Sequence, residues 1–142
     1  MIYTKMTKKA MKIAFDAHKE QKDKSGMPYI YHPVHLAEQM LDEETTCVAL
    51  LHDLIEDTDW TFEELEKQGF NRNIIEALKL MTHDDCVPYL DYVENIKSNP
   101  IARVVKLADL NHNSDLTRLE EIDKKAIERV EKYKKAIELL EK

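Results

Sequence analysis

The fold is decided by the stretch ALLHDLIEDT, residues 49–58, near the centre of the sequence. With the preceding CV it predicts a buried helix from about Thr45 to Asp57, because CVALLHDLI is apolar nearly all round. Four ionisable side chains interrupt this apolar pattern: His52, Asp53, Glu56 and Asp57. Buried helices rarely keep such groups without a partner, so the four side chains indicate a functional site.

Helical spacing of apolar residues continues on both sides of this stretch and predicts an all-α fold. Before it, we expect a helix from Thr4 or Thr7 to Glu20, a loop over residues 21–31, and a helix with Pro33 in its first turn. After it, Thr61 and Glu64 have capping-box spacing, and residues 122–142 predict an amphipathic helix whose Lys and Glu residues form a solvated face. We expect seven to eight helices in one compact domain over residues 1–142.

The composition excludes several classes of protein. Of 142 residues 43% are hydrophobic and only two are glycine, which favours a folded helical domain over a disordered chain. The net charge of −7 argues against a nucleic-acid-binding protein. No run reaches the ~18 apolar residues of a membrane span, and no signal peptide is evident, so we expect a cytoplasmic protein. Cys47 and Cys86 form no zinc pattern and are interpreted as free thiols.

The residues that point most directly to chemistry are His32, His52, Asp53 and Asp109. Two imidazoles and two carboxylates from three helices would make a mixed nitrogen and oxygen site for a divalent transition metal. Adjacent residues of a helix point about 100° apart, so His52 and Asp53 share one ion only if it lies close to the helix flank. The alternative is that each residue is an isolated polar group satisfied by hydrogen bonds in the core.

Two further acids, Glu56 and Asp57, follow His52 and Asp53 by one helical turn. They could position or deprotonate a water molecule in metal-assisted hydrolysis. The alternative is a structural acidic helix end, which the helix dipole disfavours.

Several other polar residues are less decisive. Asn113 follows Asp109 by one turn and could hydrogen-bond a sugar hydroxyl or phosphate, or cap the helix. His18 and His35 could line the cleft or simply pack, and His112 and Asn111 are interpreted either as structural groups or as groups that support the residues of the site. His83 precedes two aspartates in a loop and is interpreted as a surface residue.

The order of His32, His52-Asp53 and Asp109 resembles the H…HD…D signature of the HD-domain superfamily of metal-dependent phosphohydrolases. SGMPYIYHPVHLA (25–37), ALLHDLIEDT and VVKLADLNHN (104–113) look like segments of the RelA/SpoT-type alarmone hydrolases, which remove pyrophosphate from the 3′ position of ppGpp. The resemblance covers about residues 17–119. It implies an all-helical domain holding one divalent ion, typically Mn²⁺. Donor chemistry alone leaves Fe, Co, Ni and Zn open as well.

The resemblance implies a role for each matched position. His32, His52, Asp53 and Asp109 match the metal ligands of the family. Glu56 and Asp57 match its acidic pair, which activates the hydrolytic water, and Lys24 and Asn113 match positions that contact the substrate.

Two positions depart from the pattern of the alarmone hydrolases. Asp23 stands where they usually have Arg, and Ser114-Asp115 stands where they commonly have Met-Arg. A negative charge at contact distance from a phosphate could reduce the binding free energy of the substrate by on the order of a few kcal/mol, and by less where solvent screens the two charges.

Two classes of function follow from the sequence. The first is a hydrolase of a small-molecule nucleotide, with an alarmone preferred over another phosphate ester such as a nucleoside monophosphate. The second is a non-catalytic sensor that binds metal or nucleotide. The intact pair Glu56 and Asp57 favours turnover. The apolar face of the N-terminal helix is compatible with a homodimer.

Overall fold

Nine α-helices make up most of the computed structural model, which describes residues 1–142. They are α1 Lys5–His18, α2 Tyr31–Glu38, α3 Glu43–Leu51, α4 Leu54–Asp57, α5 Phe62–Lys67, α6 Arg72–Met81, α7 Tyr89–Lys97, α8 Pro100–Asn113 and α9 Lys124–Glu141. A 3-10 turn at Leu116–Arg118 precedes α9, and the only β pairing is an isolated bridge between Lys22 and Pro28. The all-α prediction is confirmed. The helix number agrees with the prediction when α3 and α4 are counted as one.

Local signals in the sequence set several helix ends. Thr4 caps α1 by accepting a hydrogen bond from the Thr7 amide, and Asp42 caps α3 in the same way at Thr45. The predicted capping box of Thr61 and Glu64 opens α5, and Gly69, with φ of +93°, follows its end. Each cap satisfies backbone donors that a helix terminus leaves without an intrahelical partner.

Helix α3 lies at the centre of the fold, where it packs against α1, α2, α6 and α8. Every residue from Thr45 to Leu51 is buried, as expected for a helix that is apolar all round. Helix α9 packs against α7 and α8 on one side of the molecule. None of the nine helices has the length and apolar character needed to cross a membrane.

The predicted continuous helix from Thr45 to Asp57 is wrong in one respect. Helix α3 is capped by His52, whose backbone is still helical, and the break lies at Asp53, which has φ −103° and ψ 3° and precedes the single-turn α4. Glu56 and Asp57 therefore lie in a short separate turn rather than at the end of a long helix. A single turn has little macrodipole to disfavour acids, so their position alone does not indicate a function.

The two cysteines differ sharply in accessibility. Cys47 is fully buried in α3, and this burial raises the pKa of its thiol to about 12, whereas Cys86 lies exposed in the loop before α7. Since the thiolate is the reactive form, we expect one fast-reacting thiol per native chain, measured with a chromogenic disulfide reagent. Cys86→Ser should abolish the fast phase. Two equally fast thiols in the native protein would contradict the described packing.

Candidate metal and substrate site

Helices α2, α3 and α8 bring His32, His52 and Asp109 together in the interior. All three residues are buried, and one ligand atom from each lies within 4.8 Å of the others. Asp109 Oδ1 lies 2.9 Å from His32 Nε2 and 3.5 Å from His52 Nε2. Two imidazole nitrogens and a carboxylate oxygen around one point are a donor set for a divalent transition metal.

Asp53, the fourth predicted ligand, lies at the edge of this cluster. Its Oδ2 lies 3.1 Å from His52 Nε2, but the cluster of three does not include it, and 27% of its side chain is exposed. Burial of the carboxyl and the nearby charges of Asp109 and Asp57 raise the pKa of Asp53 well above its ordinary value. A cation at the cluster would offset this repulsion between carboxylates.

The orientation of His52 shows that the cluster suits a cation. Its Nδ1 donates a hydrogen bond to the carbonyl of Ala49 at 2.7 Å, so the lone pair is on Nε2. Nε2 is buried, has no hydrogen-bond partner, and lies 3.1 Å from Asp53 Oδ2 and 3.5 Å from Asp109 Oδ1. A ligating histidine held through its other nitrogen by a carbonyl is the usual arrangement at metal sites. The residues present therefore fit a divalent ion.

Asp109 is held in its ionised form by its neighbours. Burial opposes ionisation, but the ammonium of Lys106, with Nζ 2.9 Å from Oδ2, and the hydrogen bond with His32 keep the pKa of Asp109 well below its ordinary value. Asn113 Nδ2 donates a further hydrogen bond to Oδ1 at 3.0 Å. An ionised carboxylate is what metal ligation requires.

A second histidine, His112, holds the ring of His32 in place through its Nδ1. The Nδ1 atoms of His32 and His112 lie 2.7 Å apart, and the two rings are nearly coplanar, with an interplanar angle of 4°. The ring of His35 stacks on the ring of His112, with the two centroids 4.0 Å apart. His112 therefore fixes the orientation of His32, which agrees with its interpretation as a structural or supporting group near the site.

Glu56 and Asp57 are exposed and anchored beside the cluster. A carboxylate oxygen of Glu56 accepts a hydrogen bond from the His83 amide, and Asp57 Oδ2 accepts one from Gln21 Nε2 at 3.1 Å. The Gln21 amide is oriented in turn by the buried His18, whose Nδ1 lies 2.8 Å from Gln21 Oε1. Each acid thus has one oxygen held by the protein and one without a protein partner.

His83 is only partly exposed in its loop. The side chain is half-buried, its ring stacks on Tyr92 at a centroid distance of 4.5 Å, and its Nε2 donates to the carbonyl of Val87 at 2.7 Å. These contacts hold the loop before α7, and with it the amide that binds Glu56.

A cavity of about 310 Å³ opens beside the cluster, with His32 in its wall. Both predicted substrate residues, Lys24 and Asn113, border it. So do Arg118 and Arg129, which the sequence analysis did not single out. A volume of this size suits a small organic ligand.

Comparison with known proteins places this arrangement in a family. The family model described as the HD domain matches residues 10–137, which is nearly the whole chain. The chain belongs to the HD-domain family. The bifunctional (p)ppGpp synthase/hydrolase SpoT of Escherichia coli K12 is 39% identical over 124 residues, which cover 77% of this chain and 18% of SpoT. The guanosine-3′,5′-bis(diphosphate) 3′-pyrophosphohydrolase of Aquifex aeolicus is 36% identical over 113 residues, which cover 71% of this chain and 16% of that enzyme.

A solved structure shares the fold. A metazoan ortholog of SpoT, described as hydrolysing ppGpp, superimposes with a TM-score of 0.80 over 99% of this chain and 88% of the other, at 24% identity. The resemblance to RelA/SpoT-type proteins is therefore confirmed as homology. This HD domain spans less than a fifth of the length of the two curated relatives described above.

Both acids that depart from the alarmone-hydrolase pattern have structural partners in this HD domain. Asp23 Oδ1 accepts hydrogen bonds from the amides of Ser25 and Met27, and its Oδ2 lies 4.0 Å from Arg118 Nη2. Asp115 caps the 3-10 turn by accepting from the amide and hydroxyl of Thr117, and these hydrogen bonds lower the pKa of Asp115. The negative charge at both positions therefore faces donors of the protein itself.

Proposed function

We propose that this HD domain is a metal-dependent phosphohydrolase that removes pyrophosphate from the 3′ position of a (p)ppGpp-type alarmone. The observation that carries the proposal is the buried His52 Nε2, which has no hydrogen-bond partner and faces two carboxyl groups beside a cavity of about 310 Å³. The names of the homologues supply the substrate class. We also propose that residues 1–142 form a single HD domain.

The proposed ion is Mn²⁺, held by His32, His52 and Asp109, with Asp53 as the fourth ligand at the edge of the cluster. His and Asp donors also suit Fe, Co, Ni or Zn. When bound, such an ion would polarise a phosphoryl oxygen and lower the pKa of a water molecule. The protein contributes ligands that are already oriented, through Ala49 for His52 and through His112 for His32.

The proton of the attacking water is assigned to Asp57 or Glu56. Each carboxylate has one oxygen fixed by the protein, by Gln21 or by the His83 amide, which leaves the other oxygen able to accept a proton. Asp57 follows Asp53 by one helical turn, and its amide donates a hydrogen bond to the Asp53 carbonyl at 3.0 Å. A base held next to the reacting phosphorus would orient water for in-line attack.

Two residues are proposed to hold the nucleotide. Lys24 borders the cavity from the loop between α1 and α2 and offers a positive charge to a phosphate. Asn113 borders it from the end of α8, where its Nδ2 is bonded to Asp109 and its Oδ1 lies 3.3 Å from Arg118 Nη1. Asn113 would thus link substrate binding to the orientation of a metal ligand.

An activity screen tests the proposal. The purified protein with added Mn²⁺ would be offered ppGpp beside nucleoside mono-, di- and triphosphates, with Asp53→Ala as the control. We expect pyrophosphate release from ppGpp that the variant loses. Turnover of another phosphate ester alone would keep the metal chemistry and replace the substrate. No turnover by the metal-loaded protein would favour a nucleotide-binding sensor.

Removal of the His112 ring should weaken metal binding. A metal-bound His32 Nε2 leaves the ring proton on Nδ1, and His112 Nδ1 is the acceptor placed for it at 2.7 Å. Loss of such a partner typically costs 10–100-fold in metal affinity, so His112→Ala should raise the Mn²⁺ Kd by about that factor in calorimetry. His35→Ala is the matched control, because it removes a stacked ring without touching His32. Equal Kd values for the wild type and His112→Ala would refute this role.

A further inference from the structure

His18, at the end of α1, is a buried imidazole that belongs neither to the metal cluster nor to the wall of the cavity. It is 1% exposed, and burial lowers the pKa of the ring, which is therefore neutral and carries a single proton. The one hydrogen bond of the ring joins Nδ1 to Gln21 Oε1 at 2.8 Å, while Nε2 is buried without a partner. A phenyl ring would fill the same space without a buried polar atom, so what the imidazole adds is that one hydrogen bond.

The direction of this hydrogen bond follows from the next contact. Gln21 Nε2 donates to Asp57 Oδ2 at 3.1 Å, because an ionised carboxylate only accepts hydrogen bonds. The amide oxygen of Gln21 then faces His18 and can only accept, so the proton of the imidazole is on Nδ1. The His18–Gln21–Asp57 network therefore has one arrangement that satisfies both contacts, and the Gln21 amide cannot turn over without breaking them.

The loop after α1 does not depend on the side-chain contacts of this network. The backbone amide of Gln21 donates to the His18 carbonyl at 2.9 Å, and its backbone carbonyl accepts from the Tyr29 amide at 2.9 Å. The backbone alone therefore holds Gln21 in place. Its side chain, which borders the cavity, is left to act on Asp57.

The two acids of the site differ in how they are held. Glu56 is bonded to the His83 amide, a backbone contact that any residue except proline would supply at that position. Asp57 is bonded to a side-chain amide whose orientation is set from the interior by His18. The backbone amide of Asp57 also donates to the Asp53 carbonyl at 3.0 Å, which ties it to the edge of the cluster. A group that holds water in line for attack gains from such fixed geometry.

We propose that His18 and Gln21 are positioning residues for hydrolysis: His18 orients the Gln21 amide, and the amide aims the free oxygen of Asp57 at the attacking water. Asp57, rather than Glu56, then accepts the proton of the water as its oxygen bonds to the phosphorus next to the 3′ oxygen. The bond between this phosphorus and the 3′ oxygen breaks, and the 3′ oxygen keeps the electron pair and takes a proton from solvent. This inference rests on the proposed function.

The kinetic test uses variants that remove the hydrogen bonds and keep the shape of each side chain. His18→Phe and Gln21→Met should lower kcat for ppGpp about 10–100-fold, as expected for a displaced proton acceptor, and leave KM and the Mn²⁺ Kd unchanged. His18→Asn should keep most of kcat, because an asparagine amide can replace Nδ1 as the donor to Gln21. Gln39→Met is the matched control, since the exposed side chain of Gln39 bonds only the His35 carbonyl.

Two results would overturn the positioning role. One is an unchanged kcat in Gln21→Met. The other is a raised KM at constant kcat, which would make Gln21 a residue that binds the substrate. Gln21 is only partly buried, so its variant decides the question even if circular dichroism shows that His18→Phe does not fold.

Double variants separate Asp57 from Glu56. If the Gln21 amide acts through Asp57, Gln21→Met should cost no further activity in an Asp57→Asn background. In a Glu56→Gln background it should still cost about 10–100-fold. Equal losses in the two backgrounds, or the reverse pattern, would overturn the assignment of the proton to Asp57.

Hydrogen exchange separates failure of this network from failure of the proposed function. In protein loaded with diamagnetic Zn²⁺, the side-chain amide protons of Gln21 should exchange at least about tenfold more slowly than those of Gln39, and His18→Phe should remove the difference. If the wild type hydrolyses no nucleotide, the proposed function fails, and the exchange rates still show whether His18 and Gln21 hold Asp57. Equal rates for the two glutamines in the wild type, or a difference that survives His18→Phe, would overturn the network.

Discussion

Asp109→Ala is expected to lower the free energy of unfolding by about 3–5 kcal/mol, even in the presence of a chelator. The substitution removes the carboxylate that neutralises Lys106, whose side chain is only 11% exposed. It also leaves His32 Nε2 and Asn113 Nδ2 without their acceptor. The cost therefore comes from a buried charge and two polar groups that lose their partners, and urea denaturation in EDTA measures it.

The double variant Asp109→Ala/Lys106→Met is the control for this stability effect. It removes the ammonium of Lys106, which the single variant leaves without a counter-charge. The methionine keeps an aliphatic side chain against the ring of Tyr92, whose centroid lies 5.2 Å from Lys106 Nζ in the wild type. We expect it to recover a large part of the lost stability, because replacing both partners of a buried pair is often nearly neutral. A single variant as stable as the wild type would show that Lys106 reaches water when Asp109 is absent.

His52→Gln is expected to leave the fold intact and to reduce both metal content and hydrolysis by more than about a hundredfold. Loss of a group that only supports a metal ligand already lowers metal affinity or activity by about 10–100-fold, and loss of the ligand itself should have a larger effect. The residue ends α3 and supplies the only imidazole nitrogen of the cluster that has no hydrogen-bond partner. Glutamine can still donate to the Ala49 carbonyl but has no imidazole nitrogen to offer. Elemental analysis and pyrophosphate release measure the two losses.

The chelated wild type is the reference for His52→Gln. If the substitution acts only through the ion, the variant and the chelated wild type should have the same residual activity and the same circular dichroism spectrum. Full metal occupancy together with lost activity would instead assign His52 a role in the reaction itself.

The sequence predicts the centre of the site well, because the residues concerned lie in, or directly after, helices that have a clear apolar periodicity. Apolar periodicity places His32 on α2, His52 at the C-terminal end of α3 and Asp109 on α8, and these three helices pack on one another. The break at His52-Asp53 could not be predicted in this way. CVALLHDLIEDT contains neither glycine nor proline, and the backbone leaves helical geometry there only in the context of the packed fold.

The surroundings of the site depend on contacts that no local pattern encodes. His112 meets His32 across 80 residues of sequence, and Gln21 reaches Asp57 across 36. Arg129 stands in a helix rich in Lys and Glu, where periodicity distinguishes the apolar face but not which charged residue borders a cavity. Only the packing of α9 against α7 and α8 singles it out.

The position of α9 also has a consequence for the order in which the protein matures during synthesis. The cavity wall combines the loop after α1 with Arg129, Val130 and Tyr133 of the last helix, and Arg103 Nε ties α8 to the Leu140 carbonyl at 2.6 Å. Under the proposed function, a nascent chain would complete the cluster of His32, His52 and Asp109 once α8 has left the ribosome, while the cavity wall would stay open until α9 follows. Ion binding would then precede nucleotide binding during synthesis, since pairings distant in sequence form late.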